Sequence, residues 1–128
     1  AFAAMRTLDT AIQDALIKVA VDARMNGVYW ASFRYREGGA LERVEDDCLM
    51  SRDEFTTQGK QIASGVVLAG DAWLSVTQQT HAGTSIEDLI ELAQTKSQQS
   101  WRYRAEECLP NYVQSSINWQ KRIRLQTP

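Results

Sequence analysis

Apolar residues near the start of the chain recur at three- and four-residue spacing, which places them on one face of a helix: Leu8, Ile12, Leu16, Val19 and Ala23. Thr7 can cap the N-terminus of this helix, and Asn26-Gly27 can end it. Ile17 and Val21 form a second apolar stripe on the opposite side. The pattern predicts a first helix over residues 7–24 that packs against partners on two sides.

The next segment, from Val28 to Arg36, is rich in aromatic and β-branched residues and predicts a strand. Glu37-Gly38-Gly39 has the composition of a turn. A second strand is predicted from Ala40 to Leu49. The two strands together predict a β-hairpin, which needs helices over one face because two strands alone are marginally stable in water.

Ser51 and Glu54 form a capping-box pattern, which predicts that a helix begins at Arg52. Apolar residues then recur at seven-residue spacing and favour one helix to about Gln79. Glycines interrupt this segment, and each weakens a helix by about 1 kcal/mol relative to alanine. The alternative interpretation ends the helix near Gly70 and makes residues 72–80 a third strand.

Thr84 and Glu87 form a second capping-box pattern, so a helix is predicted from Ile86. Its apolar spacing continues to Leu109, where Pro110 disfavours further helix. Residues 100–108 also alternate and could instead form a strand. A last helix is predicted over residues 110–125.

These elements predict an α+β, helix-rich fold, in which a β-hairpin packs against three or four helices. The hairpin could extend to a three- or four-stranded antiparallel sheet. The 128 residues fit a single domain, residues 1–128, and the balance of 44% apolar and 23% charged residues is that of a globular protein. No apolar run approaches the ~20 residues that cross a bilayer, so we expect a cytoplasmic protein that does not contact membranes.

Charge is unevenly distributed along the chain. The net charge is −2, yet residues 96–128 contain six basic and two acidic residues. The basic residues of this segment could form a face that binds nucleic acid or a complementary surface: Arg102, Arg104, Lys121, Arg122 and Arg124. The acidic balance of the whole chain disfavours nucleic acid.

Metal and cofactor motifs are absent from the sequence. Its two cysteines and one histidine have no metal-ligand spacing, and the acidic cluster Glu45-Asp46-Asp47 has no EF-hand spacing. Glycine-rich phosphate-binding motifs and serine-nucleophile motifs are also absent. We therefore predict no metal and no cofactor.

Two groups of residues are candidates for ligand binding. Large aromatic side chains could line an apolar pocket or simply fill the core: Trp30, Tyr35, Trp73 and Trp101. His81 precedes a helix N-terminus at Thr84 and Ser85, where free backbone N–H groups could hold an anion. The alternative is a loop histidine beside a helix that caps itself.

Three functions follow from these features. The first is a non-enzymatic interaction or binding module that self-associates as a homodimer, because the first helix is two-sided, aromatic residues are numerous and opposite charges are separated. The second is a small-molecule-binding protein or small enzyme with an aromatic-lined pocket. The third is a nucleic-acid accessory protein that uses the basic face. Whether any reaction is catalysed stays open at this stage.

Overall fold

The computed structural model describes residues 1–6, 14–36, 40–79, 81–98, 104–107 and 113. In chain order, the helices and strands of these residues are α1 (Phe2–Arg6), β1 (Leu16–Arg24), β2 (Gly27–Arg36), β3 (Ala40–Ser51), α2 (Arg52–Gly59), β4 (Val67–Ala69), α3 (Leu74–Thr77) and α4 (Ile86–Gln98). Short 3₁₀ turns occur at Asp71–Trp73 and Ala105–Glu107.

The four strands form one sheet in the order β3-β2-β1-β4. Neighbouring strands are antiparallel from β3 to β1, whereas β4 runs parallel to β1. The α+β prediction is confirmed. The sheet is mixed rather than antiparallel, and strands contribute as much to the described residues as helices do, so the helix-rich prediction holds only in part.

The predicted strand pair is present as β2 and β3. β2 begins one residue before the predicted Val28, and β3 continues to Ser51. The register is irregular around Ser32. The hairpin prediction is met only in part, because residues 37–39 lie outside the described residues and the pair belongs to a larger sheet.

The predicted first helix is wrong where the structure describes it, because residues 16–24 form β1; residues 7–13 lie outside the described residues. β1 is a central strand, and both of its faces are covered. Ile17 and Ala20 point to opposite faces and are both fully buried. A strand that is covered on both faces does not alternate between apolar and polar residues. The apolar residues of its two faces therefore resemble two apolar stripes of a helix.

The capping box at Ser51 is confirmed. The Ser51 hydroxyl accepts a hydrogen bond from the Glu54 N–H at 3.2 Å, and the Glu54 carboxylate accepts one from the Ser51 N–H at 3.0 Å. The continuous helix to Gln79 is wrong, because α2 ends at Gly59. The alternative strand over residues 72–80 is also wrong, since β4 lies earlier and residues 74–77 are helical.

Gly70 has a backbone conformation that a continuous helix could not contain. Its φ is 102°, and a Cβ added there would lie 2.0 Å from the carbonyl oxygen of Ala20. The backbone therefore passes directly against β1 at this point, and only glycine permits that approach.

The helix α4 begins at Ile86 as predicted, but its cap is one residue later than expected. The Ser85 hydroxyl accepts from the Asp88 N–H at 3.1 Å, and the Asp88 carboxylate accepts from the Ser85 N–H at 3.1 Å. The helix does not continue to Leu109, because Ala105–Glu107 is a 3₁₀ turn. The alternative strand is wrong at residues 105–107, and residues 100–103 and 108 lie outside the described residues. The helix predicted over residues 110–125 lies outside the described residues except for Val113.

Two apolar clusters cover opposite faces of the sheet. On one face, Trp30 and Val28 pack with Phe55 of α2 and with Trp73. On the other face, a smaller cluster contains Ala4, Ile17 and Ala69. Among the described residues, no helix is long and apolar enough to cross a membrane.

Candidate functional site

Two of the aromatic residues predicted to line a pocket meet in the core instead. The ring centroids of Trp30 and Trp73 are 5.6 Å apart, and the ring of Phe55 lies 5.0 Å from that of Trp73. Trp30 is 5% exposed and Trp73 is fully buried. Tyr35 packs on the opposite face of the sheet, and Trp101 lies outside the described residues. The described members of the group therefore do not form one pocket.

The predicted anion site at the start of α4 is already filled by a side chain of the protein. Asp88 accepts from the backbone and hydroxyl of Ser85, which lowers the pKa of the Asp88 carboxyl and keeps it ionised. Asp88 thus already occupies the donors that an anion bound at the helix start would use. The His81 ring pairs with the Thr77 hydroxyl at 2.9 Å. Of His81, Thr84 and Ser85, Thr84 alone lines either of two adjoining cavities beside α1.

The basic face is described at one position. Arg104 is exposed, and its backbone N–H donates to the Glu107 carboxylate at 2.8 Å. The other members of that face lie outside the described residues: Arg102, Lys121, Arg122 and Arg124. The basic face therefore stays a prediction. The part of the chain that the structure describes contains no group of three or more residues arranged to hold a metal ion.

A buried polar cluster on the aromatic face was missed by the sequence reasoning. The Ser32 hydroxyl is fully buried; it donates to the Glu45 carboxylate at 2.6 Å and accepts from the Lys18 amine at 2.7 Å. The amine also lies 5.1 Å from the centre of the Trp30 ring. A Ser–Lys pair can form an acyl-transfer centre when the lysine accepts the serine proton. Here the serine proton points to Glu45, so the arrangement is structural.

A cavity lies on the other face of the sheet. Its volume is about 370 Å³, and it is open to solvent and bordered by α1, the sheet and the first half of α4. Its walls are mostly apolar: Phe2, Ala3, Val19, Phe33, Leu41, Leu89 and Leu92. Its polar groups are Arg43, Thr84 and Asp88.

The strand register explains how Arg43 reaches this cavity. Phe33 and Arg43 are direct partners in the β2–β3 pair, so their side chains share a face. The guanidinium carbon lies 5.1 Å from the centre of the Phe33 ring, a stacking geometry that Arg favours. One guanidinium nitrogen pairs with Asp47. A guanidinium carries five N–H donors, so Arg43 can also bind an acidic group in the cavity.

A second cavity of about 250 Å³ adjoins the first. Both are lined by Ala1, Ala3, Val19 and Thr84. The second cavity is lined mostly by small residues, and its charged group is Asp71. The Asp71 carboxylate accepts from the Asp22 N–H at 2.8 Å, which fixes it beside the end of β1.

Comparison with known proteins finds resemblance in solved structures. No protein-family model and no curated protein matches the chain. An uncharacterised protein from Pseudomonas aeruginosa, described as similar to the peptidase YeaZ, superposes with a TM-score of 0.57 at 21% identity over 89% of this chain. YeaZ from Pseudomonas aeruginosa superposes with a TM-score of 0.56 at 23% identity over 88% of this chain. At these identities the likeness shows a shared fold. The chain spans 56% and 55% of these two proteins.

The first functional hypothesis, a non-enzymatic module that self-associates, is wrong. The fold resembles that of YeaZ, and two of the three features that suggested a second copy are explained within the described residues. The two-sided pattern of residues 16–24 belongs to a central strand, and two of the tryptophans fill the core. The predicted homodimer and cytoplasmic location stay predictions.

Proposed function

We propose that this chain supplies a ligand-binding part of a YeaZ-like protein, and that its larger cavity binds a small molecule with an apolar body and one acidic group. The shared fold supports the first half of the proposal. Because the chain spans little more than half of those proteins, it would supply part of such a protein's activity. The position of Arg43 on the cavity wall carries the second half.

The cavity has the size and composition of a small-molecule site. Its volume of about 370 Å³ falls within the usual range for ligand pockets, roughly 300–1,000 Å³. Such sites combine apolar walls with a few fixed polar groups that orient the ligand. Phe33 stacks on Arg43 and holds its guanidinium at the wall, which reduces the side-chain freedom that a bound acid would otherwise have to restrict.

Binding fits the described residues better than peptide-bond cleavage does. The structural relative is described as similar to a peptidase. In the described part of this chain, two hydroxyls lie beside a possible base: Thr77 beside His81 and Ser32 beside Lys18. The Thr77 hydroxyl also donates to the Trp73 carbonyl at 3.1 Å within its own helix, and neither Thr77 nor His81 lines the proposed cavity. The Ser32 hydroxyl is engaged as well. That serine is fully buried and its hydroxyl donates to Glu45, so it has no access to a substrate.

Octanoate is a suitable probe, because it joins an eight-carbon apolar chain to one carboxylate. Its binding would be measured by isothermal titration calorimetry against octanamide, which has the same shape without the charge. We expect octanoate to bind about three- to tenfold more tightly, since the Arg43 side chain is 46% exposed and solvent screens its pairing with a carboxylate. Arg43→Gln should remove this preference.

Arg36→Gln is the matched control. Arg36 is also an exposed arginine of the sheet with carboxylate partners, but it pairs with Asp14 and Glu42 and lines neither cavity. This variant should bind octanoate as the unchanged protein does. Absence of octanoate binding, or an equal loss in both arginine variants, would overturn the proposal.

A further inference from the structure

The two adjoining cavities carry opposite charges at their far ends. Resting on the proposed function, we propose that the ligand is a short linear peptide with free termini, which spans both cavities with its carboxylate at Arg43 and its amino group at Asp71.

The two cavities adjoin one another along the path from Arg43 to Asp71. They share four lining residues, and Val19 is the shared residue that belongs to the sheet. Arg43 lies on one side of Val19, level with Ile17 through their common partner Phe33. Asp71 lies on the other side, where it binds the backbone of Asp22.

The length of this path sets the size of the ligand. From the level of Ile17 to that of Asp22, β1 advances about 16 Å, because a strand rises about 3.3 Å per residue. Arg43 is two strands away from β1, which adds a sideways displacement of about 10 Å at 4.8 Å per strand. The two charged groups are therefore roughly 20 Å apart, which an extended peptide of about six residues spans.

The walls also favour an extended chain over a compact molecule. The second cavity is lined by Ala69, Gly70, Ala82 and Gly83, whose side chains are small or absent. Such a wall accommodates a backbone at close range and leaves little apolar surface for a bulky group. The first cavity provides the larger apolar surface, which suits leucine-like side chains near the carboxyl end.

Charge at both ends distinguishes a peptide from a simple fatty acid. Asp71 is exposed and negatively charged, so it attracts an ammonium group. A fatty acid would use Arg43 alone. A peptide with free termini would use both charges, and blocking either terminus should weaken its binding.

The test uses a hexapeptide of alanine and leucine in three forms: free at both ends, amidated at the C-terminus and acetylated at the N-terminus. Calorimetry on the full chain should show the free peptide binding more tightly than octanoate. Amidation and acetylation should each weaken binding about three- to tenfold. Asp71→Asn should remove the effect of acetylation and leave octanoate binding unchanged.

Asp53→Asn is the control for this substitution, because Asp53 is an exposed acid on α2 and lines neither cavity. Asp71→Asn keeps the oxygen that accepts from Asp22, which preserves the local backbone contact. Should this variant still unfold, the acetylated peptide on the unchanged protein makes the same comparison.

The outcomes separate the two proposals. Octanoate binding with no gain from the peptide, or no effect of acetylation, would overturn the peptide assignment and leave the acidic-ligand site standing. Absence of binding by both probes would overturn both. Tight binding that depends on both termini supports both.

Discussion

Replacing Glu45 with glutamine tests whether the polar cluster beneath β3 stabilises the fold. The Glu45 carboxylate accepts hydrogen bonds from the Ser32 hydroxyl at 2.6 Å, the Lys18 amine at 3.2 Å and the Trp30 indole N–H at 3.3 Å. Ser32 is fully buried and the Lys18 side chain is 13% exposed. Glutamine keeps one acceptor oxygen but removes the negative charge, so the lysine loses its counter-charge.

The expected loss is moderate because the cluster is only partly shielded. Hydrogen bonds to charged groups contribute about 1.5–3 kcal/mol when buried, but the Glu45 side chain is 49% exposed and solvent screens it. We therefore expect Glu45→Gln to lower the free energy of unfolding by about 1–2 kcal/mol near neutral pH. For a chain of this length, the melting temperature should fall by about 3–10 °C.

The effect should depend on pH in a defined direction. The Ser32 hydroxyl, with Lys18 and Trp30, holds the pKa of Glu45 below its usual 4.5. The folded state therefore binds this proton less readily than the unfolded state. The stabilisation is fully present above the usual pKa and is lost as the pH falls through the lowered folded value. The stability gap between the two proteins should close in acid.

Urea unfolding followed by circular dichroism, at neutral pH and in acid, measures this gap. Glu42→Gln is the control, since Glu42 lies on the same strand in an exposed pair with Arg36 and should lose less than about 1 kcal/mol. The reasoning would be refuted by equal losses in both variants, or by a Glu45→Gln gap that does not change with pH.

Three further substitutions test backbone conformation. Gly70→Ala should lower the free energy of unfolding by about 3 kcal/mol or more, because its Cβ would collide with the Ala20 carbonyl. Gly65→Ala is the control, since Gly65 has a φ of 88° but open space around it, and it should lose about 1–2 kcal/mol. Thermal melts of both variants measure the difference. Met25→Gly should keep or raise stability by up to about 1 kcal/mol, because Met25 is 89% exposed with a φ of 46°. If urea unfolding showed that Met25→Gly lowers the free energy of unfolding by more than about 1 kcal/mol, this account would be contradicted.

Local signals predicted the elements whose faces differ in polarity or whose ends are capped. Residues 28–36 alternate and form β2, while Ser51 caps α2 as its pattern indicated. β1 escaped prediction because its burial on both faces depends on two separate layers of helix. β4 is only three residues long, which is too short to show a sequence periodicity. Its parallel pairing with β1 also involves no local turn that the sequence could indicate.

The candidate site was beyond local reasoning because its walls come from four distant parts of the chain. Of the described residues predicted to bind a ligand, only Thr84 lines it. A partial signal existed in β2, where alternation places Phe33 and Tyr35 on one face. The pairing of Phe33 with Arg43 depends on the register of β2 and β3. This register shifts at irregularities on both sides of Ser32, and the sequence does not reveal such shifts.

The sizes of the core residues explain why the cavity lies opposite the tryptophans. Trp30, Phe55 and Trp73 fill the α2 face with three rings in mutual contact, which leaves no room for a ligand. On the other face the buried cluster contains two alanines, and α1 is only five residues long, so the sheet is incompletely covered beside Val19. Three rings in mutual contact therefore mark the packed face of this fold, and small buried residues under a short helix mark the face with space to bind.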